Sequence, residues 1–560
     1  MSNIMDSLKL KNHVHRNGFD LSFKNCFTAK AGELLPIMCK EVIPGDKFDI
    51  DLSSLTRSMP VDSAAYTRLR EYFDFYFVPD RLLWRFSDQF FIQQKSQSSA
   101  YSPRSTFDVP EMLPYFSPVS LHRAVLASLD ATGSSKENLM GTGRIYSMSK
   151  LLNYLDYGTP LDFFVLNKGQ SASIPVPNRP LNLLPLLAYQ KIYADYYRYS
   201  QWEDSRPYLY NVDYIHGSKL ELTEANISSM DWSSSDGTMF DLRYANYNKD
   251  MFMGVLPSAQ MGDVAVAAPL IGEQTFSSVG TPGSGTVALN SSLPSGSSST
   301  MSGLGVSALS IRISEFLQKY KEIAISADAN YKDQLKAHWN VDVSNDRSDL
   351  CRYIGGSANN INISEVVNTN LIDSNAADIA GKGLGAQNGH INFESHEHGV
   401  LMCIYHVVPL LDYQSFVQDT FNRKVYSTDF AIPELDSVGM QSLTVEDMFN
   451  YTSRAEKFDI PLGYVPRYID YKTSVDKIHG AFEDTLKNWV APMTSGFIQT
   501  FFSLDGKQKA DYSLFKVRPS FLDSIFAQAV GNDVNSDQFL INSFFDVKAV
   551  RNLDVHGLPY

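Results

Sequence analysis

The stretch ELLPIMCKEVIPGDKFDIDLSSLTRSMPVDSAAYTRLREYFDFYFVPDRLLWRF, residues 33–86, contains two segments that predict β-strands. In the first, Phe48, Ile50 and Leu52 alternate with polar residues, which is typical of a strand with one buried and one wet face. In the second, residues 72–78 form a nearly continuous β-favouring run, mostly aromatic, that is broken by one acid. Such a run indicates a strand that is covered on both faces.

Turn residues delimit both strands. Pro44, Gly45 and Asp46 precede the first, and Pro79 and Asp80 follow the second. Proline removes a backbone donor from a strand ladder and glycine permits a tight turn. Two strands that each end at a defined turn are therefore expected.

Several motifs resemble the major capsid proteins of the Microviridae, and gokushovirus-like members most closely. The resemblance lies in residues 36–37, 41–46, 77–84, 202–204, 211–214, 256–260, 353–356 and 397–399. It implies a mainly β protein built on a viral jelly roll, with eight antiparallel strands in two sheets and long helix-containing insertions. The residues expected to carry the structural and assembly motif are Pro44, Gly45, Asp46, Pro79, Arg81, Trp84, His398 and Gly399.

The chain is expected to form a single capsid domain over residues 1–560. Jelly-roll strands are predicted mainly within 33–86 and 390–550, and large insertions with helices within 87–389. The clearest helical patterns cover 119–130, 148–158, 181–199 and 313–339, the last with a break near 326–330. The Gly/Ser-rich segment 273–305 predicts an exposed loop, and by resemblance part of a surface protrusion.

Charge limits how the protein could meet nucleic acid. The formal net charge is −14, which argues against a chain that coats DNA by itself. Lys9, Lys11 and Arg16 give the N-terminal segment a mild basic bias, which indicates a solvated arm or, as the alternative, an arm facing DNA. The segment lacks the apolar core of a signal peptide, and no membrane span is predicted.

Several residue patterns could support chemistry, but each of them also has a structural explanation. One cluster contains ligand-type residues, namely His390, Glu394, His396, Glu397, His398, Cys403 and His406. Its spacing fits no standard metal motif, so a polar strand end is the preferred interpretation. The sequence GKGLGA at 381–386 lacks the strand and helix that a dinucleotide site needs. The four widely spaced cysteines favour buried thiols over zinc or disulfides, and no catalytic residue, cofactor or metal is predicted.

The resemblance implies a structural protein that assembles into a T=1 icosahedral shell around circular single-stranded DNA. It also implies a virion location after assembly in the bacterial cytoplasm. The implied partners are other copies of the chain, the DNA, a small basic DNA-binding virion protein, other minor virion proteins and a host cell-surface receptor. The alternative from another class is a secreted carbohydrate-binding or carbohydrate-active β-sandwich, for which acids on aromatic strands would be suited.

Overall fold

The structure, a computed structural model, describes most of the chain in fifteen stretches. These are residues 16–63, 65–92, 112–130, 141–158, 179–215, 220–230, 237–259, 308–326, 331–340, 348–367, 379–414, 419–448, 461–493, 512–527 and 536–555. The predicted loop at 273–305, Lys9 and Lys11 lie outside these residues.

Strands predominate at both ends of the described chain, and most helices lie between them. The strands are β1 (Asn17–Asp20), β2 (Phe23–Ala29), β3 (Leu35–Val42), β4 (Lys47–Ser58), β5 (Leu69–Pro79), β6 (Tyr115–Phe116), β7 (Leu181–Asn182), β8 (Glu221–Leu222), β9 (Arg352–Val367), β10 (Ile379–Glu394), β11 (Gly399–Pro409), β12 (Asp412–Tyr413), β13 (Met440–Thr444), β14 (Pro461–Pro466), β15 (Pro492–Met493) and β16 (Phe539–Arg551). The helices are α1 (Ser87–Ile92), α2 (Pro118–Asp130), α3 (Gly141–Tyr154), α4 (Leu184–Ile192), α5 (Glu224–Ser228), α6 (Ala308–Ser326), α7 (Tyr331–Trp339), α8 (Thr420–Arg423) and α9 (Ile469–Lys472). None of these helices is long and apolar enough to cross a membrane.

Nine strands form one curled antiparallel sheet. Their order is β1-β16-β4-β10-β9-β5-β11-β3, and β2 also pairs with β16. Because β1 and β2 lie one after the other along β16, the nine strands fill eight positions. The first part of β9 pairs with β5 and its last part with β10, so β9 joins the two halves of the sheet. This architecture is consistent with the predicted jelly-roll sandwich.

The core lies between the two halves. On β4, Phe48, Ile50 and Leu52 are buried and the residues between them are exposed, as the alternating pattern predicted. Across the core, the rings of Phe75 on β5 and Phe545 on β16 meet edge to face at 6.3 Å. Apolar contact between opposite sheets is what stabilises a β-sandwich.

Two long strands lie where the sequence predicted insertions. β9 and β10 are each 16 residues long and fall largely within 87–389. Their glycines and asparagines have low strand propensity, which hides them from pattern analysis. Gly383 and Gly385 are required by space, since an added Cβ would lie 2.9 Å from Ser58 Oγ and 2.8 Å from Glu71 Oε1 respectively. The glycines of the GKGLGA motif therefore allow β10 to pack closely against its neighbours.

Most predicted helices are present. α2 and α4 match the patterns at 119–130 and 181–199, and a π-helical turn at Tyr193–Tyr197 follows α4. The pattern at 313–339 corresponds to two helices, α6 and α7. Within the predicted strand range 390–550, Ser427–Asp429 and Pro433–Val438 form 3₁₀ turns ahead of β13.

Candidate functional site

Three separated parts of the predicted motif meet at one end of the sandwich. Gly399, the first residue of β11, pairs on one side with Val42 at the end of β3 and on the other with Pro79 at the end of β5. The segments that adjoin these strand ends are 43–46, 79–84 and 395–399. Together they form what we call the strand-end corner.

The turn at 43–46 is fixed by its own hydrogen bonds and by its neighbours. Ile43 N donates to Asp46 Oδ2 at 3.1 Å, and Gly45 N donates to Ser395 O at 2.8 Å. Gly45 has a φ of +90°, a conformation that favours glycine. A Cβ there would lie 2.5 Å from Asn552 Nδ2. The glycine thus permits both the turn and the close approach of the C-terminal segment.

Asp46 is fully buried beneath this turn. Its Oδ2 lies 3.3 Å from Arg551 Nε on β16. Burial raises the pKa of Asp46, and the Ile43 N–H and Arg551 act in the opposite direction. Arg16, predicted for a DNA-facing arm, is exposed and donates from Nη2 to Gly45 O.

The segment after β5 turns sharply into the core. Asp80 N donates to His398 O at 3.1 Å, and Asp80 O accepts from Leu83 N and Trp84 N at 3.0 and 3.1 Å. These bonds direct the Trp84 ring inward, where it is 1% exposed and contacts the ring of Phe86 at 6.1 Å. Trp84 is therefore a core residue of this corner.

The segment before β11 contacts both other parts of the corner. Arg81 Nε lies 2.8 Å from Glu397 Oε2 in a half-buried ion pair. The His398 ring stacks on Phe91 with centroids 4.0 Å apart, and burial lowers the pKa of His398. A Cβ on Gly399 would lie 2.7 Å from Phe77 Cε2, so glycine alone fits there.

Asp80 introduces a buried negative charge at the corner. Its side-chain Oδ1 has no hydrogen-bond partner among the described residues. Burial, and then the charges of Glu41 and Glu397, raise the pKa of Asp80 to about 7. A proton on Asp80 would relieve this repulsion.

The predicted cluster of ligand-type residues is dispersed. His398 stacks on Phe91, while Cys403 and His406 lie further along β11, both buried. His390 instead faces β4, where its Nδ1 lies 2.7 Å from Asp51 Oδ1 and 3.4 Å from Asp49 Oδ1 on an exposed surface. Within the described ranges this is the one group with metal-ligand spacing, and exposed acids of this kind are common without a metal.

The cysteines are free thiols. Cys351 and Cys403 are buried as predicted, whereas Cys26 is exposed. Cys39 is partly exposed on β3, and burial of its sulfur raises the pKa of the thiol to about 12. A thiol with a raised pKa is a poor nucleophile at neutral pH.

Sequence analysis missed a buried ion cluster that anchors the insertion to the sandwich. Lys150 Nζ on α3 lies 2.6 Å from Glu33 Oε2 and 3.0 Å from Asp537 Oδ2. All three side chains are at most 3% exposed. Because the partners are separated by hundreds of residues, no local pattern could have revealed them.

A curled antiparallel sandwich of eight strand positions, with helical insertions and motif residues gathered at one end, is typical of viral jelly-roll capsid proteins. Sequence comparison agrees with that class. The chain belongs to the capsid protein (F protein) family, whose sequence profile matches residues 9–121 and 168–559.

Two curated relatives extend over nearly the whole chain. Capsid protein VP1 of Chlamydia phage 1 is 22% identical, with 98% of this chain and 96% of the relative aligned. Capsid protein VP1 of Bdellovibrio phage phiMH2K is also 22% identical, with the same coverage. The predicted resemblance to microvirus capsid proteins is confirmed, and the protein has a structural role in a viral capsid. The carbohydrate-active alternative has no support from these relatives.

Proposed function

We propose that the chain assembles into a T=1 icosahedral shell that encloses a circular single-stranded DNA genome. The observation that carries the proposal is the family match, which covers both ends of the chain and is shared by relatives named as capsid proteins. The eight predicted motif residues support it, because all of them lie at or directly beside the strand-end corner.

Exposed apolar side chains support self-association. On α6, Phe316, Leu317 and Tyr320 are each at least half exposed, and Phe421 and Tyr426 are about 70% exposed. Apolar groups of this size on a single chain mark interaction surfaces. In a shell, neighbouring copies would cover them.

The charge of the chain supports a cationic partner inside the shell. With a formal net charge of −14, the protein adds to the negative charge of packaged DNA. A small basic DNA-binding virion protein would supply the neutralising charge, and the family resemblance implies such a partner and other minor virion proteins. Assembly would take place in the bacterial cytoplasm before the chain becomes part of the virion.

Residues 273–305 are proposed to contribute to a surface protrusion that meets a host receptor, within a single capsid domain over 1–560. A long polar segment placed under the shell would leave many backbone groups unpaired. Replacing residues 277–303 by a short Gly-Ser connector should leave assembly intact and reduce attachment to host cells. Loss of assembly would show a structural role, and unchanged attachment would contradict the receptor role.

Electron microscopy of the expressed full-length protein tests the shell directly. Uniform spherical particles that protect circular single-stranded DNA from nuclease are expected. Phe316→Ser should lower the particle yield while the chain stays folded by circular dichroism, whereas Asp49→Asn on the exposed face of β4 should leave the yield unchanged. Folded monomers that never form closed particles would contradict the proposal.

A further inference from the structure

A tyrosine-lined cavity lies on the outer face of the sheet, away from the sandwich core. Its floor is formed by β5, β9 and β11, and its wall by the π-helical turn and residues 245–249. The cavity has a volume of about 580 Å³. Six tyrosines from four different segments line it, namely Tyr72, Tyr76, Tyr196, Tyr197, Tyr247 and Tyr353.

Asp74 is the acid of this cavity. One carboxylate oxygen accepts from Tyr197 Oη and the other from Tyr353 Oη, each at 3.2 Å. Tyr76 Oη donates in turn to Tyr197 Oη at 3.0 Å. Among the described residues, no lysine or arginine forms an ion pair with Asp74, and the basic atom within 4.0 Å of it is His406 Nδ1. The tyrosines orient the carboxylate without neutralising it.

His406 does not supply the missing positive charge. Its ring is buried against Tyr72, with the two rings stacked 4.8 Å apart, and burial lowers the pKa of the imidazole to about 3. The neutral ring leaves Nδ1 without a hydrogen-bond partner in the described structure, and Asn246 Oδ1 on the cavity wall also lacks one. Two residues that line the cavity therefore each carry a buried polar atom without a partner, beside an uncompensated carboxylate.

A glycine keeps space around the acid. A Cβ on Gly356 would lie 2.7 Å from Tyr353 Oη and closer still to Asp74 Oδ1. Any larger residue would therefore displace the Asp74 and Tyr353 side chains. Lys249 lies at the cavity wall, but its ammonium sits 4.7 Å over the ring of Tyr199.

We propose that this cavity binds a primary organic ammonium ion, with Asp74 as its counter-charge and the surrounding tyrosine rings as its walls. Aromatic faces attract cations, and a set of tyrosine rings around one carboxylate is suited to an alkylammonium group. A nucleobase or a sugar would leave the carboxylate charge unmatched.

The same ammonium chemistry has two possible sources. One is a free polyamine, and the other is a lysine side chain of the basic virion protein. The second source rests on the proposed function, whereas the first does not. If particles never form but the isolated chain still binds a polyamine through Asp74, the shell proposal fails and the ammonium site stands.

Calorimetric titration of the full-length protein tests the site. Putrescine and Nα-acetyl-lysine methylamide are the two probes at pH 7.5, and Nα,Nε-diacetyl-lysine methylamide is the uncharged control ligand. One site per chain is expected for putrescine, or for the lysine probe if a protein partner is the source. Asp74→Asn should weaken binding by about tenfold or more, since it removes the counter-charge and keeps the shape. Asp49→Asn, which changes an exposed acid elsewhere, should bind like the parent.

Binding should also weaken between pH 7.5 and pH 5. Burial raises the pKa of Asp74 to about 6, so protons compete with the ammonium ion. The other groups that face Asp74 are Tyr76, Tyr197, Tyr353, neutral His406 and, at the wall, Lys249, and none of these changes charge in that range. The proposal is overturned if neither amine binds, if Asp74→Asn binds equally well, or if deoxythymidine monophosphate binds in a way that does not depend on Asp74.

Discussion

Asp74 and Asp80 lie six positions apart, the first half-buried within β5 and the second buried just after it. Burial is the main cause of the raised pKa of each, to about 6 for Asp74 and about 7 for Asp80. Their surroundings differ. Tyrosine hydroxyls surround Asp74 beside an open cavity, whereas Asp80 faces Glu41 and Glu397 within close packing.

The difference teaches that a shifted pKa alone does not identify a site. At the strand-end corner, Asp80 adjoins the buried Trp84 ring and does not line the neighbouring pocket of about 200 Å³, so a proton is the simplest species that could neutralise it. At the tyrosine cavity, Asp74 lines an open space that remains for a larger cation. Perturbed carboxyls arise in structural and ligand-binding settings alike, and the free volume separates the two.

Removing the Trp84 ring should loosen the packing of the strand-end corner and cause the largest loss of stability. Trp84→Ala is expected to lower the free energy of unfolding by about 3 to 5 kcal/mol, because it deletes a fully buried aromatic ring and leaves a cavity. Chemical denaturation and particle yield both measure this change. Trp84→Phe, which keeps an aromatic ring, is the matched control and should lose clearly less. Parental stability in Trp84→Ala would mean that the corner is not closed by packing.

Gly399→Ala adds a methyl group where the corner has no space. The new Cβ would press against Phe77 Cε2 and the backbone of β5. A loss of about 1 to 3 kcal/mol in unfolding free energy is expected from such overpacking. Gly18→Ala on β1, where an added Cβ meets nothing within 4 Å, provides the control. Equal stability of the two variants would contradict the tight fit.

The corner could largely be predicted from sequence, and the cavity could not. Pro44, Gly45 and Pro79 predict turns because of their backbone properties, and the family motifs link them to Gly399. The cavity depends on Tyr353 and Gly356 in β9, a strand whose glycines and asparagines hide it. It also depends on Tyr197, which lies within the helical pattern at 181–199. Contacts between residues more than a hundred positions apart, such as that of Tyr197 with Asp74, leave no pattern along the chain.

Asp74 and Asp80 should differ in the species that neutralises their charge. Each has a folded pKa above its ordinary value of 3.8, so the folded state binds the proton more tightly. Ionisation of each acid therefore lowers the free energy of unfolding as the pH rises from about 4 through the folded pKa. This loss of stability is complete above about pH 7. Relative to the parent, Asp74→Asn should raise the unfolding free energy by about 2 kcal/mol more at pH 8 than at pH 4, and Asp80→Asn by about 3 to 4 kcal/mol more.

Thermal unfolding with and without putrescine then separates the acids. At pH 8 putrescine should stabilise the parent and Asp80→Asn, but not Asp74→Asn, because the ligand binds the folded state through Asp74. Putrescine stabilisation that also depends on Asp80 would remove the distinction between the corner and the cavity.

Glu397→Gln should have the smallest effect on stability, because it has two effects that oppose each other. The ion pair with Arg81 is half-buried, so its loss is expected to cost about 1 kcal/mol or less. The same change removes a negative charge that raises the pKa of Asp80, which lowers the cost of ionising that buried acid. The unfolding free energy at pH 8 should therefore stay close to the parental value, while the pH dependence that belongs to Asp80 moves to lower pH. Arg81→Gln is the matched control, because it removes the ion pair and keeps the Glu397 charge, so it should destabilise without moving the profile downward. If both variants leave the profile in place, the Glu397 charge does not act on Asp80, and burial together with Glu41 accounts for its raised pKa.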